Sequence, residues 1–278
     1  MNLKIIFSHA NSFGADTYRL MFQALRQRGL AVQAIDQFGH DPRYPVTSNW
    51  PHLVQQLIDF ARPQVDAAGA PLFFVGHSLG GFLSLMAAAK APELARGVLL
   101  LDAPVLGGWR ASAVGLAKRT QLVGAVSPGK VSRRRRYQWA NAADALAHFQ
   151  GKRAFAQWHP QVLADYIAHG TLDTMVDGDS KRVLRFDRDV ETAIYNTLPD
   201  NLEAMLRHHP VHCPVAFIGG TRSAEIRQVG MTLTQRVTHG RIMMLDGSHL
   251  FPMEQPLVTA AAIEAALLNL SSSPRVTG

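Results

Sequence analysis

Apolar residues fall into two alternating rhythms over the first 104 positions. Residues 3–8 (Leu-Lys-Ile-Ile-Phe-Ser), 31–36, 72–75 and 97–101 are short, continuous apolar runs, the pattern of strands covered on both faces. Between them apolar residues recur at helical spacing. Tyr18, Met21, Phe22 and Leu25 follow Asp16 as an N-cap and stop at Gly29. Leu53, Leu57, Ile58 and Ala61 share one face of a helix over 49–68, and residues 80–91 form a third helix. Strands alternating with helices of this length predict a mostly parallel sheet flanked by helices. The rhythm breaks at Pro104, and residues 105–208 read as mostly helical. It resumes with a strand over 215–218, a helix over 223–237, a strand over 241–245 and a helix over 256–270 with Pro256 in its first turn. Residues 271–278 are expected to fray. The prediction is an α/β core domain made of residues 1–104 and 209–278, with a helical insertion of residues 105–208. Open α/β sheets bind ligands beyond the carboxyl ends of their strands, where such an insertion would lie.

Composition narrows the class. With 47% hydrophobic and 18% charged residues among 278, the chain is not a wholly disordered one. Its single cysteine, Cys213, excludes an intramolecular disulfide and a cysteine-based zinc cluster. The opening Met1-Asn2-Leu3-Lys4 has no basic n-region, and Lys90, Asp102 and Glu264 interrupt the longest apolar runs. Neither a secretory signal nor a membrane span is expected, so a soluble cytoplasmic protein is. The net charge of +7 is uneven: residues 105–208 hold 15 Lys/Arg against 10 Asp/Glu, with Arg133–Arg136 the densest point. Four charges are read as a solvated helix end, and no nucleic-acid partner is expected. The same segment holds three of the four tryptophans, Trp109, Trp139 and Trp158, which suggests an apolar pocket with a positive balance favouring an anionic tail.

Gly76-His77-Ser78-Leu79-Gly80, followed by Gly81, carries the chemistry. A strand precedes it and a helix follows, the setting that turns a G-x-S-x-G pattern into a nucleophile elbow. Glycines at 76 and 80 make room where side chains would clash with the tight turn. The Ser78 hydroxyl then sits at a helix N-terminus, where exposed amides favour developing negative charge. A serine hydroxyl needs a base. Of twelve histidines, His249 in Asp246-Gly247-Ser248-His249 follows the last predicted strand, at the same end of the sheet as Ser78. His9, His40 and His77 also lie near strand ends, with roles in turn packing or in shaping the elbow. The oxyanion needs two donors: the backbone N–H of Leu79, and one from the loop Ser8-His9-Ala10-Asn11-Ser12-Phe13-Gly14, where the Asn11 amide is chosen, with its side chain in support.

These motifs resemble the α/β-hydrolase superfamily over nearly the whole chain. The loop from Ser8 to Gly14 is a variant of the family's His-Gly loop, with Ala10 where the family usually has glycine. The resemblance implies a helical cap for residues 105–208, a Ser–acid–His triad in that order, and acyl chemistry with no cofactor. The acid departs from the family. Its usual Asp after the penultimate strand is missing from the stretch Phe217 to Glu225. Two carboxylates remain, Asp102 at the end of the strand after the elbow, and Glu225. Asp102 on a rigid strand end suits the role better, against a competing reading as a turn or capping carboxylate; Glu225 competes with a reading as first-turn helix charge. A serine at position 78 sets the chain apart from dehalogenases and epoxide hydrolases of this fold, which attack with Asp. No metal-ligand spacing, P-loop or dinucleotide fingerprint is found. The expected function is a serine hydrolase, first of all a carboxylic-ester hydrolase, acting on a small or medium acyl substrate. Lactone, amide or carbon–carbon hydrolysis and perhydrolysis use the same triad, and a catalytically weak ligand binder is the alternative of another class.

Overall fold

Period-two burial along the strands sorts their side chains into two layers. The computed structural model describes residues 3–107 and 129–272. Its described strands are β1 (Lys4–Ser8), β2 (Ala31–Ala34), β3 (Leu72–His77), β4 (Ala95–Leu101), β5 (Gln138–Trp139), β6 (Thr171–Val176), β7 (Asp179–Leu184), β8 (Val215–Gly220) and β9 (Ile242–Leu245). Six of them form one parallel sheet in the order β2-β1-β3-β4-β8-β9. Helices α1 (Arg19–Gln27), α2 (Pro51–Ala68) and α3 (Leu79–Lys90) connect its first strands. Ile5, Phe7, Phe73, Val75, Leu99 and Leu101 face one layer, with Met21 and Leu25 of α1. Ile6, Phe74, Val98 and Leu100 face the other, with Leu53 and Leu57 of α2 and Leu83 of α3. Each such side chain contributes about 1.5–3 kcal/mol by leaving water, which explains why these strands read as continuous apolar runs.

The chain leaves the sheet after β4 and rejoins it at β8. Between them lie α4 (Gly129–Arg134), α5 (Ala142–Gln150), α6 (Pro160–Gly170), α7 (Arg188–Asn196) and α8 (Leu202–His208). Helices make up most of the regular structure described here, and the sequence reading is corrected by one addition, a three-stranded antiparallel sheet of β5, β7 and β6. Its hairpin turns at Asp177 (φ 52°) and Gly178 (φ 85°). Two consecutive left-handed residues match the right-handed twist of paired strands, which is why Asp-Gly favours such turns. Trp109 lies outside the described residues. The Arg133–Arg136 run divides. Arg133, Arg134 and Arg136 are exposed, and Arg136 lies over the Trp139 ring at 5.8 Å, whereas Arg135 turns inward to Glu191 at 3.1 Å. It is therefore not wholly the solvated helix end expected.

After β8 come α9 (Ala224–Val229), α10 (Thr232–Thr238), α11 (Phe251–Glu254) and α12 (Pro256–Ser272). The single helix expected over 223–237 is two, broken at Gly230 with φ 77°. Asp16 is not an N-cap: it lies inside a 3₁₀ turn, Ala15–Tyr18, and α1 starts only at Arg19. Among the described residues no helix is long and apolar enough to cross a membrane.

Candidate active site

The elbow is built by exclusion. A Cβ on Gly76 would come within 2.0 Å of the Gly80 carbonyl oxygen, one on Gly80 within 2.0 Å of the Ser8 carbonyl oxygen, and one on Gly81 within 2.4 Å of Ala103 Cβ. With those glycines the chain turns so tightly that Ser78 takes φ 52°, ψ −116°, a conformation that costs an ordinary residue on the order of 1–3 kcal/mol. Its Oγ is thereby held at the start of α3.

His249 Nε2 lies 3.0 Å from Ser78 Oγ, and its Nδ1 lies 2.7 Å from Asp102 Oδ2. A carboxylate only accepts, so Nδ1 carries the proton and Nε2 accepts from the serine hydroxyl. Asp102 is 1% exposed and sits at φ 42°. Gly220 N–H donates to its Oδ1 at 2.7 Å, and Ser223 Oγ–H donates to Oδ2 at 2.6 Å. Burial works against the Asp102 charge, yet the His249, Gly220 and Ser223 hydrogen bonds outweigh it and hold the carboxyl below its usual range. Burial likewise opposes the His249 cation, but the Asp102 hydrogen bond and the charges of Glu225 and Asp102 prevail and raise its pKa. Glu225 stands 3.6 Å from the same Nδ1, with its side chain 43% exposed. Both sequence candidates thus reach the histidine, Asp102 by hydrogen bond and Glu225 by charge. One atom each from Asp102, Glu225 and His249 lie within 4.8 Å of one another. These three could approach a cation, but only by removing the Nδ1 proton that binds Asp102.

The loop after β1 lines the same cleft as Ser78. Ala10 N–H is taken by the Tyr18 hydroxyl at 3.1 Å, which leaves Asn11 as the next backbone donor. Leu79 N–H belongs to the first turn of α3, where amides have no partner inside the helix. The Asn11 side chain, expected as a supporting donor, is already engaged: one Nδ2–H donates to the Glu191 carbonyl at 3.1 Å and its Oδ1 accepts from Ser12 N–H. His9 packs the turn as expected. Its Nε2 accepts from Phe38 N–H at 2.9 Å, so Nδ1–H donates to the Ala10 carbonyl at 2.8 Å.

A buried polar chain joins the loop after β1, the elbow and the loop that carries His249. His77 Nε2 lies 2.8 Å from the His249 carbonyl, so that nitrogen carries a proton, and Nδ1 must accept from Tyr18 O–H at 2.8 Å. Tyr18 in turn accepts from Ala10 N–H. Burial, with the nearby His249, lowers the His77 pKa to about 3, which keeps the ring neutral and the direction of this chain fixed. Tyr18→Phe removes one member and orphans two others. It is expected to cost about 1–3 kcal/mol of stability, measurable as a lower urea midpoint at unchanged slope. Tyr18, Ser223 and Glu191 were not legible as site residues. Tyr18 reads as helix core, Ser223 offers only an N-cap signal, and Glu191 gives no local signal.

Ser78 and His249 open onto a cleft of about 920 Å³ whose wall includes Asn11, Phe13, Phe155 and Leu250. Residues 5–262 match the model of the alpha/beta hydrolase family. The chain belongs to that family. It is similar to a serine hydrolase-like protein of Dictyostelium discoideum, 24% identical over 272 residues that cover 90% of this chain and 71% of that protein. A 106-residue stretch is 30% identical to monoglyceride lipase of Rattus norvegicus, covering 37% of this chain and 35% of the lipase. Among solved structures, a peroxisomal alpha-beta-hydrolase of Saccharomyces cerevisiae superposes with TM-score 0.72 at 16% identity, covering 99% of this chain and 78% of that one. At that identity the superposition speaks for the fold alone.

Proposed function

We propose that the protein is a serine hydrolase acting on a small or medium acyl substrate, first of all a carboxylic ester. The observation that carries this reading is the unbroken line from Ser78 Oγ through the His249 ring to Asp102, at 3.0 and 2.7 Å. Ser78 attacks the carbonyl, and His249 takes its proton and returns it to the leaving group. Asp102 holds the imidazole in its tautomer and stabilises the cation that forms. The Leu79 and Asn11 amides hold the oxyanion. Water, activated by the same histidine, then releases the acid. Residues 105–208 act as a cap that selects the acyl group. The likeness of one stretch to a lipase supports ester chemistry.

The test is hydrolysis of a chain-length series of p-nitrophenyl esters together with labelling by a fluorophosphonate. Turnover with a short- or medium-chain optimum and stoichiometric labelling at Ser78 are expected. No labelling and no turnover on any chain length would overturn the reading.

The base must be neutral to act. Because its pKa is raised, kcat/KM is expected to climb with pH through a midpoint above the ordinary histidine value of about 6.5. Glu225→Gln removes one of the charges that raise it, so the midpoint shifts to lower pH and relative activity in acid increases. A pH–rate profile of the two proteins side by side checks this, and an upward shift would contradict it.

A further inference from the structure

Three consecutive residues of the loop after β1 are held from across the cleft. Asn11 Nδ2–H donates to the Glu191 carbonyl at 3.1 Å, and Ser12 Oγ–H donates to Glu191 Oε1 at 2.5 Å. The Phe13 ring meets Trp158 at 5.3 Å and Tyr166 at 5.7 Å. Ser12 has φ 77°, a left-handed backbone that a serine keeps only when its surroundings hold it there. Glu191 itself is 3% exposed. Its second oxygen faces Arg135 Nε at 3.1 Å, an ion-pair contact without hydrogen-bond alignment. Burial disfavours its charge, and Arg135 and Ser12 offset only part of that cost, so its pKa is raised. The helix that carries it is fastened to the core near both ends. His40 Nε2 accepts from Asp187 N–H at 3.0 Å, and Trp50 Nε1–H donates to Thr197 Oγ1 at 3.0 Å.

A buried carboxylate needs a reason to be there, since an apolar residue would cost less. Here both its backbone and its side chain grip the loop that offers a donor to the oxyanion. We propose that Glu191 is a positioning residue for the oxyanion hole. By holding Asn11 and Ser12 it fixes the direction of the Asn11 backbone N–H, so that the hole is complete only when α7 is seated on the core. This rests on the serine-hydrolase reading of the site. Such a residue acts on the transition state more than on the bound substrate, because the donor must point to where the oxyanion forms rather than to the resting carbonyl.

The experiment compares wild type, Glu191→Gln and Ser12→Ala on one p-nitrophenyl ester, and measures inhibition by phenylboronic acid, whose tetrahedral adduct with Ser78 places an oxygen in the hole. Ser12→Ala leaves the Arg135 pair intact, and Glu191→Gln combined with Arg135→Met removes the orphaned cation. Together they keep the test open if Glu191→Gln alone folds poorly. A misplaced group costs on the order of 100-fold. Glu191→Gln is therefore expected to lower kcat roughly 10- to 100-fold with KM within about twofold. Boronate affinity should fall by a similar factor, and Ser12→Ala should reproduce most of the loss without adding to it. Unchanged kcat in these variants, or a change confined to KM or to melting temperature, overturns the proposal while wild-type labelling at Ser78 stands. Failure of wild type to label overturns the serine-hydrolase reading, and this one with it.

Discussion

Ser78→Ala is expected to lower kcat about a millionfold on any ester that the wild-type protein turns over. The size follows from what the alanine cannot do. No other described side chain occupies the position 3.0 Å from His249 Nε2, so the base has nothing to deprotonate but water. The oxyanion donors and the cleft remain, and they preserve a residual acceleration of roughly 10³–10⁴ over the uncatalysed reaction. KM should move little, because the hydroxyl is not among the groups that bind the resting substrate. Stability should also hold, since alanine has the same Cβ at φ 52° and the substitution removes a single oxygen. Steady-state kinetics with thermal melts of both proteins decide it. A residual rate above about one percent, well outside what losing a nucleophile allows, would mean that Ser78 is not the attacking group.

Asp102→Asn should cost about 10⁴-fold in kcat, by the logic of the triad template. An amide in that place either offers N–H to both Nδ1–H and the Ser223 hydroxyl, or keeps its oxygen toward them and turns its N–H toward the Gly220 amide. Asp102 accepts from three donors, so either arrangement leaves a buried donor without its partner, at about 1–3 kcal/mol of stability. Glu225→Gln should lower kcat less than tenfold, because a half-exposed charge 3.6 Å away is weakened by solvent. Measuring both variants and their combination separates the two carboxylates. A larger loss from Glu225→Gln than from Asp102→Asn would reassign the acid.

How much of this was legible depends on distance along the chain. The elbow could be read because its constraints are local: Gly76, Ser78 and Gly80 sit within one turn, and strand and helix flank them. The parallel sheet could be read because burial on both faces leaves continuous apolar runs. The antiparallel β5-β7-β6 sheet was missed although Asp177-Gly178 is a hairpin signal, since residues 105–208 were read as one mostly helical segment. The rivalry between Asp102 and Glu225 could not be resolved from sequence because β4 and β8 become neighbours only in the fold. Their pairing brings the Gly220 amide and Ser223 to Asp102. Glu191 and Tyr18 belong to the same class: each meets its partner from a distant stretch, and neither leaves a local trace. Asn11 shows the converse, a residue chosen for its place in the loop whose side chain is engaged with a distant helix.

The junction at Asp102 has a consequence for the newborn chain. Ser78 and Asp102 come before the groups that orient the Asp102 carboxylate, which lie on β8 and the turn after it, and His249 comes later still. On the serine-hydrolase reading, a chain that stops before β8 would carry Ser78 with neither His249 nor an oriented Asp102. On the same reading, activity would require β8 docked beside β4 with His249 set over the elbow, so that the chemistry would report correct sheet assembly.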